Sequence, residues 1–531
     1  MHMNKFLILM CLLLASCGTN RVTKQPTIAT SDPTDIQNEY STSLYGSEYS
    51  GPAATIAVLL PMNGPAKSVG NDIKNSIETA FVRKPQQKIS VSFYDISGDK
   101  QKRGSTIRSA LGTKPDIIIG PLFSEDTVTL RDMKNANTPV ISFTSDINAL
   151  GNNVMTMNLI PTQSIETIVQ QMQKDGVKNI IMMAPNDNSG KTMMSVAHNV
   201  SRAYNMSVNG IFYYTPNNSD SIKDMSIHAS MYNTRNAANT RAREVLSDIL
   251  NNETLTAETR NDLKRQLEKI SRTETLGKLP FDAILFLGNG NDSKTIASFL
   301  RYYGVSAHDV SFYGTTLWDT SDIKSDFSLS GAKYATLPPI SDQFIQTYNY
   351  VSGKDPDYLA AFGYDAANMA LGTLYSNKNN NAYLFDPSGY VGTTGIFRIQ
   401  PNGESERALR IMQLNGTDET KTVREAPNNF LTQIYSTNNS DLREIPAKEL
   451  STRGINPGDY IKIPENLRKK SAYKTKTIGA NYVSNESESV TFEPVQIYAS
   501  SESETISNPE FEPVKLESVS RKYIDSVEIA E

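Results

Sequence analysis

Ser189-Gly190-Lys191-Thr192 follows an apolar run and has part of the spacing of a phosphate-binding loop. Such a loop needs a glycine five residues before Gly190. Pro185 stands there instead and offers no backbone N–H to a phosphate. Gly288-Asn289-Gly290 is half of a dinucleotide fingerprint without its third glycine, and reads as a turn. His2, His198, His228 and His308 are far apart, with no His-Glu-x-x-His pairing and no Gly-x-Ser-x-Gly elbow to go with them. Carboxylates are abundant, but nothing singles out two of them as an acid–base pair. The expected function is therefore non-enzymatic, with no cofactor and no metal ion.

Both cysteines, Cys11 and Cys17, lie at the amino terminus. Phe6–Ala15 is an almost continuous apolar run after Lys5, too short to span a bilayer and suited to the core of a secretory signal. It ends in Leu14-Ala15-Ser16-Cys17-Gly18, which resembles a bacterial lipobox. That resemblance implies a signal peptide over 1–16 and a lipid-carrying Cys17 as the new amino terminus, anchored stably by several acyl chains. Gly18, where Asp would favour retention at the inner membrane, implies a periplasmic protein held in the inner leaflet of the outer membrane. The plainer alternative is an ordinary secretory signal with a chance cysteine. Residues 17–52 are rich in Ser, Thr, Asn and Gly without apolar periodicity, and read as a flexible tether.

The 531 residues carry 52 Lys and Arg against 57 Asp and Glu, a formal charge of −5. Asn485 to Glu531 holds eleven acids and three bases, so this stretch alone is −8 and the other residues together are +3. The balance gives no electrostatic case for a nucleic-acid partner. Beyond the amino terminus no apolar run approaches the ~20 residues of a membrane span.

Any chemistry must be positioned by the elements that begin at Ala53. Thr55–Leu60 reads as a buried strand closed by a Pro61–Pro65 turn, and Asp72–Val82 as a helix with Ile73, Ile77, Ala80 and Phe81 on one face. Ile89–Tyr94, Asp116–Ile119 and Pro139–Phe143 read as strands, with helices over Gln101–Leu111 and Glu125–Ala136. Such units predict a parallel sheet with helices on both faces. A second series follows: helix Thr162–Lys174, strand Asn179–Ala184, helix Lys191–Tyr204, strand Ser207–Tyr214, strand Ala283–Leu287, helix Ser293–Tyr303 and strand Val310–Tyr313. The polar stretch Asn236–Gly277 interrupts it. Within that stretch Thr256–Ser271 places Leu263, Leu267 and Ile270 on one helical face, an inserted excursion longer than an ordinary loop. A last section supplies helices over Asp342–Val351 and Asp357–Thr373 and a strand over Gly395–Ile399.

Ile56–Pro65 with Gly70, Ile119-Gly120-Pro121-Leu122, Pro139-Val140-Ile141-Ser142, Tyr364-Asp365-Ala366 and Thr393-Thr394-Gly395-Ile396-Phe397 together resemble the type I periplasmic binding proteins. Gly314–Asp319, the insertion followed by Leu279–Ala283, and Gly392–Arg398 with Gly403 and Arg407 resemble, more narrowly, the penicillin-binding-protein activator lipoproteins. The resemblance covers about 53–416. It implies an α/β fold, a two-lobed clamshell with parallel sheets, with an N-lobe of about 53–160 and 338–376 and a C-lobe of about 161–337 and 377–416. A disordered amino-terminal tether and a disordered carboxyl-terminal tail would flank it.

In that fold the ligand lies in the cleft at the carboxyl ends of the strands. The corresponding loops bring forward Asn63, Gly64, Phe123, Ser124, Thr144, Ser145, Asp146, Asn186, Ser189, Gly190, Asn289 and Trp318. The resemblance implies that Ser124, Thr144 and Ser145 donate to a ligand carboxylate and that Asp146 accepts from its ammonium. The same small polar residues could instead cap the helices that follow. Ser189 stands where the amino-acid-binding branch has a tyrosine lid, and Phe143–Asp146 replaces the usual small residues. Trp318 has two readings, a contact at the cleft mouth or a core residue.

Residues 417–531 read as a low-complexity, mostly disordered extension. It carries a basic cluster of Arg468, Lys469, Lys470, Lys474 and Lys476, either a solvated run or an anion site. Phe492-Glu493-Pro494-Val495 recurs as Phe511-Glu512-Pro513-Val514, which is either a chance repeat or a short docking motif. The resemblance implies a lipid-anchored activator of a peptidoglycan synthase, a penicillin-binding protein. The alternative is a receptor delivering amino acids or similar small polar solutes to a transporter.

Overall fold

The computed structural model describes residues 53–82, 88–305, 310–319, 321–376, 380–417, 419–430, 450 and 454–479. The signal peptide, Cys11, Cys17, the tether, His2, His308, the repeated Phe-Glu-Pro-Val and the acidic 485–531 stretch lie outside these.

The first half builds one parallel sheet. Strand β1 (Ala54–Leu60) is followed by α1 (Lys67–Val82), β2 (Ile89–Asp95), α2 (Lys100–Gly112), β3 (Ile117–Ile119), α3 (Ser124–Met133), β4 (Val140–Ser142) and β5 (Val154–Thr156). The strand order is β2-β1-β3-β4-β5, with every neighbouring pair parallel. Alternation along β1 sends successive residues to opposite faces. Ile56, Val58 and Leu60 pack with Ile73 and Ile77 of α1, whereas Ala57 and Leu59 join Ile107, Ala110 and Leu130 from α2 and α3. Covering both faces in this way is what a parallel sheet requires.

The second half repeats the arrangement with α4 (Gln163–Lys174), β6 (Asn179–Pro185), α5 (Asn188–Ala203), β7 (Ser207–Tyr214), α6 (Ser219–Ala229), α7 (Tyr232–Asn252), α8 (Ala257–Ser271), β8 (Ala283–Phe286), α9 (Gly290–Tyr302), β9 (Ser311–Gly314) and β10 (Lys333–Thr336). The same alternation directs Ile180, Met182 and Ala184 to one core, and Ile181 and Met183 to another that contains Trp318.

Helices α10 (Asp342–Ser352) and α11 (Tyr358–Tyr375) return to the first lobe and lie against α1. Lys354 Nζ is 2.7 Å from Asp72 across that contact. Gly363 sits where an added Cβ would come 3.0 Å from Ile73, so α11 approaches α1 closely. A three-stranded antiparallel sheet follows, β11 (Tyr390–Gly392), β12 (Gly395–Ile399) and β13 (Ser405–Arg407). It also stays with the first lobe: Thr156 N–H donates to Gly403 O at 2.9 Å, and Thr393 N–H to Asp365 of α11 at 2.9 Å. The resemblance implies that the chain enters the C-lobe at 377. It does so only at β14 (Arg410–Leu414), which pairs antiparallel with β10 and carries β15 (Thr420–Arg424) at its outer edge. The second sheet then reads β15-β14-β10-β9-β8-β6-β7.

The inserted excursion is two helices, α7 and α8, rather than one. Ala242, Val245, Leu246 and Ile249 of α7 meet Leu263 and Ile270 of α8. Ile461, Ile463, Leu467 and Tyr473 close the same core. Residues 454–479 are therefore packed structure within the stretch read as mostly disordered. Four apolar side chains spaced through a basic segment are enough to seat it, although the polar residues between them hide the pattern.

Candidate functional site: the cleft loops and the crossovers

Strand carboxyl ends place the predicted residues on two rims. At the β1 and β2 ends Asn63 Nδ2 donates to Asp95 Oδ2 at 2.6 Å, and the Met62 N–H donates to Asp95 Oδ1 at 2.9 Å. Ser97 Oγ donates to the same carboxylate at 2.5 Å, and the Asn63 N–H donates to Ser97 Oγ at 2.9 Å. Partial burial opposes the Asp95 charge, but these donors outweigh it and hold the carboxyl at about 2. Gly64 turns the loop with φ +74° and its carbonyl accepts from Lys67 N–H at 3.1 Å.

At the β3 and β4 ends Ser124 Oγ donates to Asp146 Oδ2 at 2.5 Å. Asp146 Oδ1 accepts from the Asn148 N–H at 3.0 Å and so caps the following turn. Thr144 is buried, with its hydroxyl accepting from Asp146 N–H at 3.1 Å and its carbonyl from Thr156 Oγ1 at 2.6 Å. Ser145 is exposed and Phe123 half-buried at the start of α3, its carbonyl accepting from Thr127. Ser124, Thr144 and Asp146 are thus brought together, but their polar atoms are engaged with one another and with the backbone.

The second rim is built the same way. Asn186 is exposed and donates its N–H to Tyr214 O at 2.7 Å. Asp187 caps α5 by accepting from Gly190 N–H at 2.8 Å, which leaves Ser189 half-buried in the first turn. Gly190 is fixed by packing rather than by any anion: a Cβ there would lie 2.0 Å from Pro185 O. Gly70 in the first lobe is the same construction: a Cβ there would lie 1.9 Å from Pro61 O. Asn289 caps α9 by accepting from Asp292 N–H at 2.9 Å and donates back to Asp292 Oδ2 at 3.1 Å. Burial pushes Asp292 up, against hydrogen bonds from Asn217, Asn289 and Tyr214. Gly288 leaves the room that the Tyr214 hydroxyl fills.

Trp318 is not a cleft contact. It is 0% exposed, stacks obliquely on Phe286 at 5.4 Å and donates Nε1–H to Ser293 Oγ at 2.9 Å. Its ring occupies the space above Gly314, where a Cβ would lie 2.2 Å from Trp318 Cδ2. The large apolar ring is satisfied inside the second lobe, so nothing draws it to the rim.

The richest polar cluster lies at the crossovers between lobes. Asp365 Oδ1 accepts from the Thr393 N–H at 2.9 Å, and Oδ2 accepts from Thr393 Oγ1 at 3.2 Å. Arg407 Nη1 is 3.8 Å from Asp365 Oδ2 and donates to Thr394 Oγ1 at 3.2 Å; Nη2 donates to Met157 O at 2.7 Å. The guanidinium lies over Phe362 at 3.9 Å and Phe397 at 4.9 Å. Met157 opens the first crossover, Ser341 of the second bonds to Thr393 O at 2.8 Å, and Arg407 adjoins the third. Burial raises Asp365 and lowers Arg407, each opposed by the other's charge. The resemblance pointed to these residues as family marks without giving them a task. Their separation in sequence hides that they meet.

Residues 53–224 match the family model for periplasmic binding proteins. A crystal structure from Rhodospirillum rubrum, assigned to a branched-chain amino acid ABC transporter, superposes with a TM-score of 0.53 at 15% identity, covering 70% of this chain and 100% of that one. The fold is that of a type I periplasmic binding protein. Among curated relatives, an uncharacterized protein of Rickettsia prowazekii is 26% identical over 184 residues, 34% of this chain and 49% of that protein. The penicillin-binding protein activator LpoA of Glaesserella parasuis is 26% identical over 138 residues, 25% of this chain and 23% of that protein. The chain thus spans at most about half the length of either relative. In the type I periplasmic-binding-protein fold the three crossovers join the lobes; here Arg407, beside the third, bonds to Met157 of the first, while Ser341 of the second bonds to Thr393 of the same cluster. Among the described residues no helix is long and apolar enough to cross a membrane, and no group of three or more His, Cys, Asp and Glu could hold a metal ion.

Proposed function

We propose that this protein is a non-enzymatic, lipid-anchored periplasmic regulator that activates a peptidoglycan-synthesising penicillin-binding protein by direct contact. Cys17 would carry the lipid, in the inner leaflet of the outer membrane. The observation that carries the reading is the pairing of Ser124 with Asp146 at 2.5 Å. The hydroxyl and carboxylate that would grip an amino acid's two charges are spent on each other, and Asp146 also caps a turn. A ligand would have to break these bonds before making its own, losing part of its binding energy to the exchange. The partial similarity to the activator LpoA supports the same reading.

A second reading, a receptor for a small polar solute, is favoured by the fold itself and its solved neighbour. The two are separated by measuring, on the purified full chain, thermal shifts with amino-acid and muropeptide panels beside capture of purified periplasmic synthases. Capture with stimulated glycan synthesis and no amino-acid shift is the expected result. A shift of several degrees with an amino acid, without synthase capture, would overturn it.

A further inference from the structure

The packed segment 454–479 presents a concentrated positive surface that the clamshell does not use. Residues 462–476 contain Lys462, Arg468, Lys469, Lys470, Lys474 and Lys476 against Glu465 alone, a net charge of +5 in fifteen residues. All six basic residues are exposed. Their backbone is fixed from beneath, because Ile461, Ile463, Leu467 and Tyr473 are buried against α7 and α8. Lys470 is spent on the fold, 2.6 Å from Glu253, and Arg468 Nε donates to Ile463 O at 3.0 Å. Among the described residues Lys462, Arg468, Lys469, Lys474 and Lys476 have no acidic partner within 4.0 Å. Like charges gathered in one short segment repel and favour an anion that covers them.

The chain supplies one. The acidic stretch starts seven residues past Gly479, the last described position, with Glu486, Glu488 and Glu493, and carries −8 over 485–531. Seven residues reach up to about 25 Å, enough to fold back over the segment they leave. A charge complement so tethered acts at an effective concentration in the millimolar range, far above that of a free competitor. We propose that residues 485–531 fold back along the basic face of 462–476 and occupy it as an intramolecular polyanion, so that any other anionic partner of that face must displace them.

Zero-length carbodiimide cross-linking of the full chain, mapped by mass spectrometry, tests this. At low salt, links are expected from Lys469, Lys474 and Lys476 to glutamates of 486–512. They should fade several-fold at about 0.5 M salt, where screening acts over a few ångströms. A mixture of isotopically light and heavy chains should give links within one chain. The variant Lys469→Glu/Lys474→Glu/Lys476→Glu, which spares Lys470, should keep its melting temperature, lose links from the tail to this segment and cleave faster in the tail under limited proteolysis. Links spread evenly over lysines elsewhere, tail links that persist unchanged in high salt, or links chiefly between light and heavy chains would each overturn the proposal. The last result would mean that a second copy is the occupant.

Discussion

Arg407 Nη1 lies 3.8 Å from Asp365 Oδ2, both wholly buried, with the guanidinium stacked on Phe362 and reaching the Met157 carbonyl. Truncating either partner leaves a charge stranded in a dry site, and such losses run to about 3–5 kcal/mol. Arg407→Ala should therefore lower the free energy of unfolding by that amount, read as a lower urea midpoint at unchanged slope. Arg407→Met with Asp365→Asn should cost less than the two single changes together, because the pair is one coupled unit. Additive losses in a double-mutant cycle would show that the two residues act separately.

Glu166 predicts the pH profile. Burial, then the charge of Glu406, push its carboxyl up to about 7, against hydrogen bonds from Tyr204 and Gln170. The folded state then binds the proton more tightly than the unfolded chain, whose value is near 4.5. Stability contributed by this group is full below about 4.5 and is lost as pH rises to 7, by at most about 3 kcal/mol. Asp95 works in the opposite sense, its depressed carboxyl costing stability as pH falls from 3.8 toward 2. Thermal midpoints should therefore peak near pH 4 to 5, and Glu166→Gln should flatten the decline toward pH 7.

The lone tryptophan is a built-in reporter. Trp318, enclosed by Phe286, Tyr334 and the Gly314 backbone, should emit at short wavelength and resist iodide quenching until the second lobe unfolds. Gly314→Ala should drive a methyl into the indole and destabilise the lobe by about 1–3 kcal/mol, read as a red shift at lower denaturant.

The insertion depends on residues far along the chain. Leu467→Ala opens a cavity beneath α7 and should cost about 2–4 kcal/mol locally. Limited proteolysis should then cut first in 252–256 or 454–479, while the two sheets stay protected. Equal protection of wild type and variant would show that the segment adds nothing to the insertion.

Most of the framework was legible because parallel strands buried on both faces read as short apolar runs, as in Thr55–Leu60 and Asn179–Ala184. Strands β5, β10, β11, β13, β14 and β15 were not. Val154–Thr156 is three residues long, and Thr420–Arg424 alternates polar residues at an exposed edge, so neither offers a period to count. At the rims Asn63, Ser124, Asp146 and Asn289 follow strand ends, but sequence could not show that Ser124 and Asp146 face each other. Trp318 was legible only as either a core residue or a cleft contact, since the choice depends on Ser293 of α9 and Gly314 of β9 meeting around it. The Arg407 cluster was marked by its motifs, yet its partners Met157 and Asp365 stand 250 and 42 positions away in the chain.

That separation has a consequence for the order of assembly. A chain emerging from its amino end has all five strands of the first sheet by residue 156 and the parallel part of the second by residue 336. Arg407 emerges some seventy residues later. During synthesis, then, the two halves exist as folding units before the cation that fastens their connections has been made, in keeping with domain-by-domain folding. Until Arg407 and the strand β14 that follows it arrive, a newborn molecule has the parallel cores of its lobes without the residue that ties their connections.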